Sequence, residues 1–175
     1  MIPQGFDLRS GSHVPTGNFE QIEQLADGLL RTTLARMVLV IDVSGQVVTA
    51  RGKYDGVDLV VLGSLVAGDL AASQEIARLT GAYQDYQLVT REGIDSHSFI
   101  AEAGQNFVLF IQMGTDTPLG WARVQIRHAA EHLAKIEVQK NQGIPGMIAA
   151  ELAQEDGTTD LSDLFGEALD DLWSD

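Results

Sequence analysis

The feature that most constrains the fold is a long apolar stretch that contains two glycines. Residues 57–81 read VDLVVLGSLVAGDLAASQEIARLTG, with no proline and with apolar residues at helical spacing, which predicts a helix. Asp55 or Asp58 is placed to cap its start, and Gly81 to close its end. Each interior glycine costs a helix roughly 1 kcal/mol relative to alanine, so we expect a packing reason for both.

One side of this helix carries only small residues. Gly63, Ala67 and Ala71 lie four residues apart in a narrow row, and Gly68 and Ala72 form the adjacent row. A separate bulky face suits a sheet: Leu59, Leu62, Val66 and Leu70. The small row packs either under the chain's own sheet or against the same helix of a second copy. Because a helix with two packing faces needs two neighbours, we expect a homodimer with Gly63, Ala67 and Ala71 at its interface.

The same stretch has the glycine spacing of a phosphate-binding loop. Gly63 and Gly68 are followed by Asp69 and Leu70, where that motif requires lysine and then serine or threonine. Because an aspartate there would repel a phosphate, we expect no nucleotide site.

The negative charge of the chain is concentrated near its C-terminal end. The net charge is −14, and residues 151–175 carry nine acidic side chains and no lysine or arginine. Nucleic acids and anionic membranes bind mainly through their phosphates, so we expect neither as a partner. No apolar run approaches the roughly 18 residues of a membrane span, and the first residues do not read as a signal peptide. We therefore expect a soluble, cytoplasmic protein.

The remaining patterns predict helices and strands in the order α-β-β-α-β-β-β-α. A helix starts at Asn18 and runs to about Met37, and a last helix starts at residues 115–118 and ends at Asn141. The predicted strands are residues 38–43, 47–51, 86–91, 96–102 and 107–113. Five mostly antiparallel strands with helices on both faces form a three-layer α/β/α sandwich of the α/β (α+β) class. Residues 107–113 are apolar on both faces, which places them in mid-sheet.

We expect both ends of the chain to lie outside this sandwich. Residues 1–17 read as a flexible arm, residues 18–143 as the domain, and residues 144–175 as an acidic extension with an amphipathic helix at about 160–174. The apolar residues of that helix are candidate partner-binding residues: Leu161, Leu164, Phe165, Leu169, Leu172 and Trp173. The helix is too short to be stable alone, so it needs a groove, either on its own domain or on a partner.

One motif points to catalysis. His128-Ala-Ala-Glu131-His132 matches H-x-x-E-H, a zinc-hydrolase motif, and histidines four apart on a helix can hold a metal together. A third ligand would have to come from elsewhere, and Arg127 and Lys135 disfavour a cation there. We therefore expect a non-enzymatic protein without catalytic residues, metal or cofactor. Zinc hydrolysis through His128, Glu131 and His132 is kept as a remote alternative.

Three stretches of the sequence resemble the Roadblock/dynein light chain family. LGSLVAGDLAASQEIARLTG resembles its central helix, and FIAEAGQNFVLFIQMG and TPLGWARVQIRHAAEHLAKI resemble its last hairpin and last helix. The resemblance covers roughly residues 18–140. It implies a profilin-like fold and small, non-enzymatic dimers whose central helices meet across a two-fold axis and whose sheets join edge to edge.

The resemblance also implies a function. Bacterial members are often encoded near a small Ras-like GTPase, and one kind stimulates GTP hydrolysis as a homodimer without inserting an arginine finger. Our leading hypothesis is therefore a non-catalytic homodimeric regulator of such a GTPase, a GAP-type co-regulator, with Leu70, Gln74 and Arg78 near the docking face. The alternative is a dimeric adaptor or scaffold that leaves GTP hydrolysis unchanged. A finger contributes roughly 10³–10⁵ in rate; Arg51, Arg78 and Arg91 are the candidates, but the family picture speaks against them.

Overall fold

A computed structural model describes residues 5–82 and 86–140 of the chain. Three helices and eight strands occur in these residues. In chain order they are β1 (Gly5–Asp7), β2 (Ser12–Pro15), α1 (Thr16–Thr33), β3 (Met37–Asp42), β4 (Val47–Gly52), α2 (Leu59–Leu79), β5 (Leu88–Glu92), β6 (Ser96–Ala103), β7 (Phe107–Gly114), α3 (Leu119–Ala134) and β8 (Gln139–Lys140).

Five strands form the main sheet in the order β4-β3-β7-β6-β5, and all neighbours are antiparallel. The central strand is β7, whose alternating residues are buried on both faces of the sheet. Leu109 and Ile111 lie on one face, and Val108 and Phe110 lie on the other. The predicted five-stranded antiparallel sheet with residues 107–113 at its centre is therefore confirmed.

Helices cover both faces of the main sheet, but unequally. On one face α1 and α3 pack over a large cluster that includes Ile22, Phe99 and Ile126. On the other face α2 alone covers a smaller cluster that includes Leu39 and Ile100. The predicted three-layer α/β/α sandwich is confirmed, and it has a two-helix face and a one-helix face.

Residues 5–15 belong to the two-helix face, which corrects the expectation of a flexible arm for the described part of residues 1–17, from residue 5 onward. Strand β2 pairs with both β1 and β8, which gives a second, three-stranded sheet. Leu8 and Val14 are buried in the same cluster as α1. Phe6 stacks on Phe19 with the ring centroids 5.6 Å apart. Burial of these apolar side chains holds residues 5–15 against the helix.

A buried aspartate ties this hairpin to the main sheet. The carboxylate of Asp42, fully buried, accepts hydrogen bonds from the backbone N–H groups of Ser10 and Ser44. The side-chain oxygen of Gln46 accepts one from the backbone N–H of Arg9 at 2.6 Å. A buried carboxylate requires such donors, so Asp42 fixes the turn between β3 and β4 against the loop between β1 and β2.

Three helix ends differ from the prediction, two in α1 and one in α3. Helix α1 starts before Asn18, whose side chain donates instead to the backbone oxygen of Glu137 at 2.8 Å. It stops before Met37, because Leu34 adopts a left-handed backbone conformation with φ of 52°. Helix α3 ends at Ala134 rather than near Asn141, because the chain then turns to pair β8 with β2.

Candidate protein-interaction surface

The helix α2 starts at a side-chain cap, as predicted. The carboxylate oxygen Oδ1 of Asp58 accepts hydrogen bonds from the backbone N–H groups of Val60 and Val61, each at 3.0 Å. These are two of the four donors that a helix start leaves without a partner. The cap fixes the first turn of α2, and thereby helps to set which side of the helix faces the sheet.

The side of α2 that faces the main sheet is bulky and buried, as predicted. Val66 and Leu70 are 3% and 4% exposed and pack into the cluster with Leu39 and Ile100. The burial of Leu70 corrects its assignment to a partner-docking face, because this side chain is already covered by the sheet of its own chain.

Gly63 is explained by a contact within the chain. A Cβ added at Gly63 would overlap the carbonyl oxygen of Gly45 and lie 2.9 Å from Cγ2 of Val47. Gly45 has a positive φ of 91°, and a Cβ added there would lie 2.8 Å from the Cα of Ser64. The two glycines let α2 touch the turn between β3 and β4. Gly63 therefore packs inside its own chain, which corrects its place in the predicted dimer row.

The opposite side of α2 is apolar and exposed. Its large side chains at positions 61, 65, 76 and 79 are 53%, 65%, 63% and 79% exposed. Between them lie a glycine and an alanine, also exposed, and a Cβ added at Gly68 would meet nothing within 4 Å. Their spacing of three or four residues keeps them on one side of the helix. We call this row the outer stripe: Val61, Leu65, Gly68, Ala72, Ile76 and Leu79.

The predicted dimer row runs beside the outer stripe rather than along it. Ala67 is half-buried and Ala71 is exposed, and their place in a dimer interface stays a prediction. The apolar residues from Val61 to Leu79 recur at helical spacing, and this spacing can be read from the sequence. The sequence does not reveal which of several apolar sides of α2 the sheet covers.

By length and composition alone, α2 is apolar enough to span a membrane, which corrects the expectation that no apolar stretch of the sequence approaches that length. It has 21 residues, a mean hydropathy of 1.4 in its most apolar window, and 17% of that window buried within the chain. However, one side of α2 is occupied by the sheet, and Asp69 pairs with Arg91 of β5 at 2.6 Å. A helix held in this way has one free apolar side, which is typical of a docking surface.

The three arginines considered as fingers are each paired with a carboxylate. The pairs are Arg51 with Glu23 and Asp27, Arg78 with Glu75, and Arg91 with Asp69. The hydrogen bond that the Arg51 guanidinium donates to the Glu23 carboxylate is the main reason why the pKa of Arg51 is raised, and this pair fastens α1 to the edge strand β4. Arg51 therefore has a role inside the fold.

The predicted partner contacts Gln74 and Arg78 lie in the second half of α2. Gln74 is half-buried, and the side chain of Arg78 is 54% exposed. Arg78 is next to Leu79, the last residue of the outer stripe, so it can contact a molecule docked there. The candidate residues of the C-terminal helix, Leu161, Leu164, Phe165, Leu169, Leu172 and Trp173, lie outside the described residues, as does the predicted boundary at residue 143.

The zinc-hydrolase motif lies on the solvent side of α3. His128, Glu131 and His132 are all exposed. Within residues 5–82 and 86–140, no group of three or more His, Cys, Asp or Glu side chains is placed to hold a metal ion. The third ligand that this hypothesis needs is therefore not supplied by the described residues.

The fold and the one-helix face define a known class of domain. Residues 21–113 match the Roadblock/LC7 domain, a stretch that runs from α1 into β7. The chain belongs to the Roadblock/LC7 family, which confirms the resemblance seen in the sequence.

Among solved structures, the chain is similar to MglB proteins. It is 30% identical to MglB of Myxococcus xanthus, with a TM-score of 0.63, over 67% of this chain and 88% of that one. It is 29% identical to the gliding protein MglB of Thermus thermophilus, with a TM-score of 0.61, over 70% and 93% of the two chains. An MglB with a tetrameric arrangement is 29% identical, with a TM-score of 0.62, over 70% and 92%. No curated protein sequence matches the chain.

Proposed function

We propose that this chain forms a homodimer through the outer stripe, and that the dimer regulates a small Ras-like GTPase in the cytoplasm without catalysing a reaction itself. The observation that carries the proposal is an apolar side of α2 that the described residues leave exposed, with small residues at its centre. Membership of the Roadblock/LC7 family and the similarity to MglB support the GTPase as the partner of the dimer.

The outer stripe has a spacing that suits a two-fold axis. Read from either end it runs large, large, small, small, large, large. Two antiparallel copies of α2 that cross near residue 70 would oppose Val61 to the partner's Leu79, Leu65 to the partner's Ile76, and Gly68 to the partner's Ala72. Each contact then occurs twice, as an interface with two-fold symmetry requires. The glycine and alanine at the crossing let the two backbones approach closely.

The free energy that burial of the outer stripe can contribute is comparable to the cost of forming such a dimer. Fully burying a valine, leucine or isoleucine side chain stabilises by roughly 1.5–3 kcal/mol, so we take about 1–2 kcal/mol for each of these partly covered ones. Two copies of the four large residues then contribute on the order of 8–16 kcal/mol, against a cost of association of roughly 4–15 kcal/mol. The edge strand β5, which pairs with β6 alone among the described strands, offers further hydrogen bonds to a second copy.

The substitution Leu65→Glu tests the dimer. It places a charge in the outer stripe, where loss of a central contact costs roughly 2–4 kcal/mol, which corresponds to about a 30- to 1,000-fold weaker association. The measurement is sedimentation equilibrium over a range of protein concentrations. The matched control is Ile94→Glu, because Ile94 is 95% exposed and lies in the turn between β5 and β6, outside the outer stripe. An unchanged association constant for Leu65→Glu would rule out this interface.

The regulatory role is tested with the Ras-like GTPase encoded nearest to this chain. Single-turnover phosphate release is measured with wild-type chain, with Leu65→Glu and with Ile94→Glu. We expect wild type and Ile94→Glu to accelerate release, and Leu65→Glu to lose the effect because the dimer is the active form. If the two proteins neither co-elute nor alter phosphate release, the proposal is wrong.

Two further variants test an arginine finger and a contribution of the C-terminal helix to GTPase binding. An arginine finger contributes roughly 10³–10⁵ in rate, so a loss of less than about tenfold in Arg78→Ala excludes Arg78 from that role. A chain that lacks residues 157–175 tests whether the C-terminal helix contributes to GTPase binding. Co-elution with unchanged GTP turnover would identify the dimer as an adaptor or scaffold.

A further inference from the structure

The helix α3 carries three cations on its solvent side and a single carboxylate, Glu131, which lies one helical turn from both Arg127 and Lys135. Arg123, Arg127 and Lys135 are exposed. Within the described residues none of them lies within ion-pair distance of an acidic side chain, in contrast to the arginines at 51, 78 and 91. A chain with a net charge of −14 therefore keeps a local positive surface on this helix. We call it the α3 face: Arg123, Arg127, His128, His132 and Lys135.

An open crevice of about 630 Å³ lies between the α3 face and the residues at the start of β5. Leu88 and Val124 give it apolar walls, and Arg123 and Arg127 line it as well. Because the two arginines are one helical turn apart, they can contact two acidic residues of a partner that share the same spacing.

Tyr86 gives this crevice a hydrogen-bond donor. The guanidinium carbon of Arg127 lies 5.2 Å from the centroid of the Tyr86 ring, a cation–π contact that helps to hold the arginine in place. The hydroxyl oxygen of Tyr86 is buried and has no hydrogen-bond partner among residues 5–82 and 86–140. A buried hydroxyl without a partner is costly, so an acceptor brought into the crevice by a ligand would stabilise this site.

A second groove of about 680 Å³ continues the same surface on the other side of His128, between α1 and α3. Leu25, Leu29 and Ile136 line it, and His132 and Lys135 lie on the α3 side. His128 borders both hollows. The α3 face is therefore a row of cations between two partly apolar hollows, on the opposite face of the main sheet from the outer stripe.

We propose that the α3 face binds an acidic amphipathic segment of a partner protein. Apolar side chains of that segment occupy the two hollows, and its carboxylates pair with Arg123 and Arg127. A nucleic acid or an anionic membrane presents a dense array of phosphates, which the net charge of −14 repels. A short acidic peptide brings few charges and supplies the apolar groups that the hollows accept. This surface is independent of the proposed dimer.

The test uses the full-length chain and a fluorescein-labelled 14-residue peptide with leucines along one side of a helix and glutamates along the other. Binding is followed by fluorescence anisotropy. We expect saturable binding that weakens about tenfold or more in Arg123→Glu/Arg127→Glu, because two attractive contacts become repulsive. The matched control is Arg9→Glu/Lys53→Glu, which makes the same change in net charge at two exposed residues that line neither hollow.

Other outcomes would overturn the proposal. Equal weakening by the two double variants would mean that only overall charge matters. Equal binding of a peptide with lysine in place of each glutamate would remove the charge complementarity. Tighter binding of a 14-nucleotide single-stranded DNA, or of vesicles with anionic lipids, would assign the α3 face to phosphates. Leu65→Glu, which separates the proposed dimer, is expected to bind the acidic peptide like wild type, so failure of one proposal is distinguishable from failure of the other.

Discussion

The two faces of the main sheet differ in how completely the chain covers them. On the two-helix face, α1, α3 and the small N-terminal sheet enclose a cluster of fully buried residues that includes Phe99, Ile111 and Ile126. On the one-helix face, α2 rests on a smaller cluster, and its own outer side exposes four large apolar residues. Among the described residues, the first face is covered by two helices and a small sheet, whereas the second is covered by one helix whose outer side is an exposed apolar row.

This difference shows what a single helix layer can do in a small domain. A helix that covers a sheet alone buries one side, and its other side is free to evolve as a docking surface. In α2 the division is made by residue size, because Val66 and Leu70 fill the inner side whereas Gly68 and Ala72 lie at the centre of the outer side. The stability of the fold and the affinity of the surface therefore depend on different residues of one helix.

The largest expected effect comes from opening a cavity on the two-helix face. Phe99 is fully buried, and Phe99→Ala should destabilise the fold by about 3–5 kcal/mol. Leu70→Ala makes the comparable change under α2, where the free outer side lets the helix move inward, so we expect about 2–3 kcal/mol. Urea unfolding at one fixed, low protein concentration measures both. A cost for Leu70→Ala equal to or above that of Phe99→Ala would contradict the contrast between the faces.

The two glycines of α2 give an effect of opposite sign. Gly63→Ala forces a Cβ against the carbonyl of Gly45, and such overpacking costs about 1–3 kcal/mol. Gly68→Ala meets nothing within 4 Å in the single chain, so it should stabilise the helix by about 0.5–1 kcal/mol. Unfolding at low protein concentration keeps association from contributing to either value. Stabilisation by Gly63→Ala would show that α2 does not rest on this turn.

The cap of α2 is a smaller and more local test. Asp58→Ala removes the acceptor for two backbone N–H groups and should cost about 1 kcal/mol. Asp58→Asn is the matched control, because asparagine caps about as well and carries no charge. Equal losses in the two variants would mean that the charge at the helix start matters rather than the hydrogen bonds.

The sequence predicted the elements whose residue pattern lies within one short stretch of the chain. The cap at Asp58, the alternation that places β7 in mid-sheet and the helical spacing of α2 are readable in adjacent residues. The pairing of β2 with β8 is not, because it joins residues 12–13 to residues 139–140 through strands of two to four residues. The hairpin at residues 5–15 looked like an arm because its buried residues, such as Val14, are isolated in the sequence.

The sequence predicted that the candidate site lies on a helix, but it did not predict which side of that helix faces away from the sheet. Small residues indicate that a backbone approaches, but they do not indicate which backbone. At Gly63 it is the chain's own turn at Gly45. At Gly68 no atom of the described residues lies within 4 Å of an added Cβ. The distinction depends on how far α2 is rotated over the sheet, and contacts with distant residues such as Ile100 set that rotation.

The smallest expected effect tests whether water reaches the hydroxyl of Tyr86, which lies at the edge of the two-helix face. Burial raises the pKa of Tyr86 from 10.0 to about 12, although Arg127 opposes the shift. The unfolded chain therefore loses this proton first, so stability is unaffected below pH 10 and falls as pH rises from about 10 to 12. Tyr86→Phe should not lower the free energy of unfolding at pH 8, because it removes a buried hydroxyl that has no hydrogen-bond partner among the described residues. It should also remove part of the decline above pH 10. Tyr54→Phe, on the exposed loop before α2, is the control and should keep the full decline. If Tyr86→Phe and wild type lose stability equally between pH 10 and 12, water reaches the hydroxyl, and the two-helix face is open at this edge.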